Sequence, residues 1–292
     1  MKTDRFRHFV AIDWSGAKGP RQKGIAIACC QAGRAAPELV SAGHRWSRGE
    51  VLEWLKSDLP ADALVGLDLS PGLPFAKSGG YFPGWEQSPS NAKQLWQLVD
   101  DLASDDPHFA ATSFLKHQEV HRHFRHGNRV CGDLFEGGAG RLRKTEERQR
   151  DLRLNPSSCF NLVGAAQVGK SSLTGMRILN RLNGAIPVWP FDAVSQSGPV
   201  IVEIYTSLAA RCAEIPPGRA KMRSWEELDA ALTHPNIASR PTGKSGKVDD
   251  HTTDAILTAA WLRTAALNPA LWDPADLTPE IARTEGWTFG VA

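Results

Sequence analysis

Two acids end apolar runs that are too unbroken to lie on a surface. Phe9, Val10, Ala11 and Ile12 lead into Asp13, and the strand-like run ALVGLDL at 63–69 ends in a second acid, Asp68. Short continuous apolar runs closed by turn residues read as strands covered on both faces. A carboxylate at such a strand end is expensive to desolvate unless it meets a cation, a metal or hydrogen-bond donors. A third acidic group comes late, where Asp249, Asp250, His251 and Asp254 open a segment that then turns apolar and small. On a helix, residues three and four apart share a face, so His251 and Asp250 are both neighbours of Asp254. Glu203 lies within a further apolar run, PVIVEIY at 199–205. Acids from two strand ends and a helix start suit magnesium or manganese, hard cations that take oxygen ligands and keep water positions open. Two such ions about 4 Å apart activate a water and stabilise the leaving oxygen in phosphodiester hydrolysis. The expected metal ligands are Asp13, Asp68, Asp250, Asp254 and Glu203. The expected catalytic groups are Asp13, Asp68, Asp254 and His251, the last as an extra ligand or a proton-transfer group. A plainer role is also open: Asp13 can cap its own turn, and Asp249 and Asp250 can cap a helix and favour its dipole.

A second motif competes. Residues 164–171 read GAAQVGKS, a literal GxxxxGK[ST]. In a P-loop the backbone amides cradle phosphates, the lysine (here Lys170) reaches the outer phosphates and the serine binds magnesium. Against this, the run before Gly164 is short and contains Asn161, and several strand candidates precede the motif. The other explanation is a Gly-bounded turn leading into a helix.

Substrate attraction would have to be local, because the formal net charge is only +2. Residues 121–153 concentrate Arg122, Arg125, Arg129, Arg141, Arg143, Lys144, Arg148, Arg150 and Arg153, with Gly137, Gly138 and Gly140 in the middle. The stretch reads as an insertion projecting from the sheet, with Arg141, Arg143, Lys144, Arg148 and Lys170 as surface contacts for nucleic-acid phosphates. Its competing explanation is a solvated helix face laced with ion pairs.

The elements that must position these groups follow from periodicity. After the strand ending at Asp13, residues 24–30 and 38–44 read as two more strands, which suggests an antiparallel meander. Ser47 with Glu50 forms a capping box for a helix over 47–59, with Val51, Leu52, Leu55 and Leu59 on one face. Residues 91–103, 225–232 and 248–267 read as helices, and 188–191 and 199–205 as strands. The Gly-, Pro- and aromatic-rich residues 76–90 read as a long loop over the sheet. The tail at 285–291 reads as an edge strand or a strap. The whole chain of 292 residues reads as a single domain with an insertion at about 79–153. The five cysteines are odd in number and lack CxxC spacing, which fits a reducing cytoplasm. No run approaches the roughly 18 apolar residues of a membrane span.

The order of strand, strand, strand, helix, strand and a final acid-bearing helix resembles the RNase H-like fold. VAIDWSG, VGLDLSPG, VIVEIY and DDHTTDAILTAAWL, together with NPSSCFNLVGAAQVGKSSLTGMRIL, resemble segments of the bacterial domain-of-unknown-function family 429, whose members are predicted nucleases of that fold. The late helix is similar to that of RuvC-type resolvases, where an acid or histidine precedes the last Asp by three positions; here these are His251 and Asp254. The resemblance implies an α/β fold with a mixed five-stranded sheet, its first three strands antiparallel, flanked by helices and carrying the basic insertion. It also implies metal-dependent cleavage of nucleic acid. One departure is Asp68, where many such nucleases place the longer Glu. DWSGAKG at 13–19 also loosely resembles the phosphate turn of actin-like kinases and ATPases. Two other functions therefore stay open: a nucleotide-binding ATPase or kinase, and a non-catalytic binding protein on the same fold.

Overall fold

The first apolar run becomes β1 (His8–Asp13), buried along almost its whole length. The computed structural model describes residues 4–127, 130–138, 140–163, 168–216 and 221–292. β2 (Ala26–Gln31) and β3 (Glu38–Leu39) follow as an antiparallel meander. β3 is shorter than its sequence suggests, because Ser41 takes a left-handed φ of 56° and turns the chain away. α1 (Arg48–Ser57) starts at the expected capping box: the Ser47 hydroxyl accepts from the Glu50 amide at 3.1 Å, and Glu50 accepts from the Ser47 amide at 2.7 Å. β4 (Ala63–Leu67) then runs parallel to β1.

The middle of the chain carries α2 (Ala92–Leu102), the short α3 (Thr112–Lys116) and α4 (Gln118–His121), α5 (Lys144–Asp151) and α6 (Val168–Leu182). β5 (Val188–Trp189) and β6 (Val200–Glu203) complete the sheet. α7 (Thr206–Cys212), α8 (Trp225–Leu232), α9 (Asp250–Ala265) and α10 (Pro279–Thr284) follow. Among the described residues the sheet has six strands, ordered β3-β2-β1-β4-β6-β5, with the last four parallel to one another. The expectation of five strands is corrected by β5, a two-residue edge strand. It precedes β6 in sequence and pairs outside it.

Each sheet face has its own core. Val10 and Ile12 of β1, Val65 and Leu67 of β4 and Ile201 of β6 pack with α1, α2 and α6. Phe9 and Ala11, Leu64, Val200 and Val202 face α7, α8 and α9 on the other side. Alternation with a period of two makes this division. Gly66 lies on the α9 face, where a Cβ would stand 2.6 Å from Ile204 Cγ2 and 2.9 Å from Leu262 Cδ1, so its missing side chain lets α9 sit close. The tail is a strap: Trp287, Phe289 and Val291 are fully buried, and the Phe289 amide donates to the Glu203 carbonyl at 2.9 Å. No helix of the described residues is long and apolar enough to cross a membrane.

The described part of 121–153, the stretch expected to project, is instead packed in: Phe124, Leu142, Arg143, Glu146 and Gln149 are buried, and Phe124 shares the α6 core with Tyr81, Phe82 and Phe114. Aromatic side chains of that size bury too much apolar surface to be left on a projecting arm.

Candidate carboxylate site

The site forms where β1 and β4 end together. Ile12 pairs with Leu67, and the Asp68 amide donates to the Ile12 carbonyl at 3.0 Å, so Asp13 and Asp68 are the next register neighbours. Alternation places both on the α9 side: Phe9, Ala11 and Asp13 in one strand, Leu64, Gly66 and Asp68 in the other. α9 crosses this face and brings His251 and Asp254. His251 Nδ1 stands 2.8 Å from Asp13 Oδ2. An ionised carboxylate only accepts, so Nδ1 carries the proton and donates, which leaves Nε2 as the acceptor of the neutral ring.

Electrostatics couple the three aspartates. Burial pushes Asp68 well above the usual carboxylate range, and the charges of Asp13, Asp254 and Glu203 push it further, against a hydrogen bond from the Thr206 amide. Burial, then Asp13 and Asp250, push Asp254 up to about 7, with His251 and Lys221 opposing. Asp13 is raised by burial, against its hydrogen bond to His251. That same hydrogen bond raises His251. The charges of Asp13 and Asp254 disfavour ionisation of Asp68, and that of Asp13 disfavours ionisation of Asp254; a cation placed among the three would lower them together.

Asp250 stands apart in chemistry. It pairs with Lys221 at 3.0 Å and Arg223 at 3.6 Å. Burial pushes it up, but Lys221, with the Asp250 amide and His251, holds it below its ordinary value. Asp249 is the cap of α9, accepting from the Thr252 amide at 2.9 Å. Among the described residues no group of three His, Cys, Asp or Glu side chains is arranged to hold a metal ion. The donors nevertheless fit a hard cation in kind: three carboxylates with raised pKa values, Asp68 and Asp254 partly open to solvent.

Glu203 is not part of this set, and alternation explains why. Leu67 pairs with Glu203, so Ile204 is the register partner of Asp68 and Glu203 points to the opposite face. There Arg143 holds it in a two-pronged ion pair, Nη1 to Oε2 at 2.8 Å and Nη2 to Oε1 at 2.6 Å, and Thr288 donates to Oε1 at 2.7 Å. Arg143 is 1% exposed and also bonds Glu146, Ser70 and the Glu285 carbonyl. Its placement corrects the expectation of a surface phosphate contact, since every side of the guanidinium is already engaged inside the protein. Arg141 is corrected likewise: it is buried, donates to Ser78 and to the Gly80 and Tyr81 carbonyls, and lies over the Phe160 ring. Lys144 and Arg148 do lie at the surface, paired with Glu147 and with Asp151 and Asp276. Arg129 falls outside the described residues.

The first four residues of the GxxxxGK[ST] match, 164–167, also fall outside the described residues. Val168 to Ser171 form the first turn of α6, with Lys170 in it. Residues 160–163 form no strand of the sheet; Asn161 makes only an isolated bridge to Arg125. A cavity of about 400 Å³ opens beside the strand ends, lined by Trp14, Ser15, Asp68, Ser70, Arg143 and Tyr205 among others. Sequence reasoning missed the Arg143 latch, the Thr206 amide on Asp68 and Lys221 beside Asp250. The one usable signal was Arg143 with Glu146 at helical spacing directly after Leu142, an apolar residue in an otherwise charged stretch.

No family model matches the chain, and no curated protein or solved structure matches it significantly.

Proposed function

We propose that this chain is a metal-dependent phosphodiesterase acting on nucleic acid, with an RNase H-like arrangement of its sheet. The observation that carries it is geometric: Asp13 and Asp68 end adjacent parallel strands as register neighbours under α9, whose His251 bonds Asp13. The antiparallel meander joined through β1 to a parallel β4 also accords with the fold, as does the late helix bearing the last acid. Asp13, Asp68 and Asp254 would hold magnesium or manganese, and the ion would supply an activated water and neutralise charge on the phosphate. His251 anchors Asp13 through Nδ1 and presents Nε2 for proton transfer. Arg143 serves the site indirectly by neutralising Glu203, which keeps an unpaired fourth acid from the neighbourhood of Asp68. The ATPase or kinase alternative has less support, because residues 160–163, just before the 164–171 segment, form no strand of the sheet.

The test is a cleavage screen of single-stranded, duplex and junction DNA and RNA with magnesium or manganese, comparing the wild type with Asp13→Asn. Cleavage that needs the metal and vanishes in a folded Asp13→Asn variant is expected. Absence of cleavage on every substrate, or equal cleavage by the variant, overturns the proposal.

A further inference from the structure

A second cavity, of about 300 Å³, lies on the other side of the turn that follows β1. Gly16 and Ala17 line both cavities, and the turn is pressed against α6: a Cβ on Gly16 would stand 2.4 Å from the Ser171 amide nitrogen. The two cavities differ in charge. The first is lined by Asp68, Glu146 and Glu203. Arg143 also lines the first, paired with Glu146 and Glu203, whereas the second is lined by Lys18, Arg48, His108 and Lys170 with no Asp or Glu among its described lining residues.

Arg48 makes this cavity unusual. It is 2% exposed, and its hydrogen bonds all go to main-chain carbonyls: Ser15 at 2.8 and 3.1 Å, Ala17 at 2.7 Å and His108 at 2.8 Å. Among the described residues it has no carboxylate partner. Arg143 and Arg177, by contrast, each hold a buried carboxylate. Carbonyl dipoles solvate the guanidinium without cancelling its charge, and a buried charge without a counter-ion is costly. Burial and the nearby Arg177 push Arg48 down to about 10, so it still carries its charge at neutral pH. Four of the five guanidinium N–H groups are used by these carbonyls, which leaves one on Nη1. The rest of the lining includes the aliphatic Ala111, Leu115 and Leu173 beside Thr112 and Thr174. The space thus offers cations to an anionic group and aliphatic side chains to an apolar one.

We infer that this cavity binds a nucleotide, its phosphate among Lys18, Arg48, His108 and Lys170 and its base against Leu115 and Leu173. The nucleotide is either free or part of a strand. In the second case, and resting on the nuclease proposal, the strand crosses the Gly16–Ala17 turn and brings a neighbouring phosphodiester to the carboxylates. This assigns phosphate attraction to the β1 turn and α6 in place of α5 and the residues before it: Arg141 and Arg143 are buried, and Lys144 and Arg148 are paired with Glu147, Asp151 and Asp276.

Calorimetric titration of the full chain in EDTA tests this without metal or turnover. The probes are adenosine 5′-monophosphate, adenosine and a short single-stranded oligonucleotide. The monophosphate should bind at least about tenfold more tightly than adenosine. Lys18→Glu with Lys170→Glu should weaken monophosphate binding by about tenfold or more, with the circular dichroism unchanged. Lys18→Gln with Lys170→Gln serves if the reversed pair fails to fold. Lys144→Glu with Arg148→Glu makes the same change of net charge on α5 and should leave binding unchanged. A more tightly bound oligonucleotide identifies the ligand as a strand; equal or weaker binding identifies a free nucleotide. No binding of either phosphate probe at about 1 mM overturns the inference. So does equal binding by the Lys18 and Lys170 variants, or an equal loss in the α5 control. Because no cleavage is measured, a chain that binds but does not cleave refutes only the nuclease proposal. A chain that cleaves through Asp13 but binds no monophosphate refutes only this one.

Discussion

Asp254→Asn should make the protein more stable at neutral pH while removing the proposed metal-dependent cleavage. Asp254 is raised from 3.8 to about 7, by burial and then by Asp13 and Asp250. An acid whose folded pKa lies above its unfolded one holds more protons in the folded state between those values. Stability therefore falls as pH rises through that window, from about 4 to about 7. The ceiling on the penalty above pH 7 is about 4 kcal/mol. The Asp254 carboxylate keeps some solvent contact, so screening reduces this to about 1–2 kcal/mol. Losing an acid near the start of α9 forfeits a helix-dipole contribution of about 0.3–1 kcal/mol at most. Relief of the buried, repelled charge wins. For a chain of this size the melting temperature should rise by about 2–6 °C at pH 8. Thermal melts in EDTA at pH 8 and pH 4 measure it: the gap between variant and wild type should be present at pH 8 and absent at pH 4, where the wild-type carboxyl is protonated. Added magnesium should raise the wild-type melting temperature and narrow the gap. A variant no more stable than the wild type at pH 8, or a gap that persists unchanged at pH 4, would refute the claim that burial and its acidic neighbours disfavour the Asp254 charge.

Arg143→Met should destabilise the fold by about 3–5 kcal/mol in urea titrations, because it leaves Glu203 and Glu146 buried without their cation. That is a large share of the roughly 5–15 kcal/mol of a whole domain, so Arg143→Glu should not fold at all. A loss below about 1 kcal/mol would show that the latch contributes little. At the capping box of α1, the Ser47 amide and then the Arg21 and Ser47 side chains hold the Glu50 carboxyl down at about 2. Its depressed pKa makes its contribution complete above about 4.5 and lost as pH falls toward 2. The difference in melting temperature between wild type and Glu50→Gln should therefore shrink over that range; a difference independent of pH contradicts it.

Much of this chain is legible in the local chemistry of its sequence. The Ser47 and Glu50 pattern places the start of α1, because capping needs only residues three apart. The unbroken runs before Asp13 and Asp68 identify two central strands, because burial on both faces removes polar residues from both. The small, apolar continuation after Asp254 marks a helix that packs closely. These are short-range constraints, written in consecutive residues.

Register and compensation of charge are different in kind. Nothing in PVIVEIY tells that Ile204, and not Glu203, aligns with Asp68; that depends on how far β6 slides along β4. A slip of one residue exchanges the two faces. Nor does a run of arginines tell which are solvated. Arg141 and Arg143 are buried because the Glu203 carboxylate and the Gly80 and Tyr81 carbonyls, some 60 residues away in sequence, converge on them. Arg148, five residues beyond Arg143, meets only surface acids. The sequence by itself determined which residues could do chemistry and which elements carry them. Only the tertiary structure decided which of those residues share a face, because the free energy of a buried charge depends on partners that the chain brings in from afar.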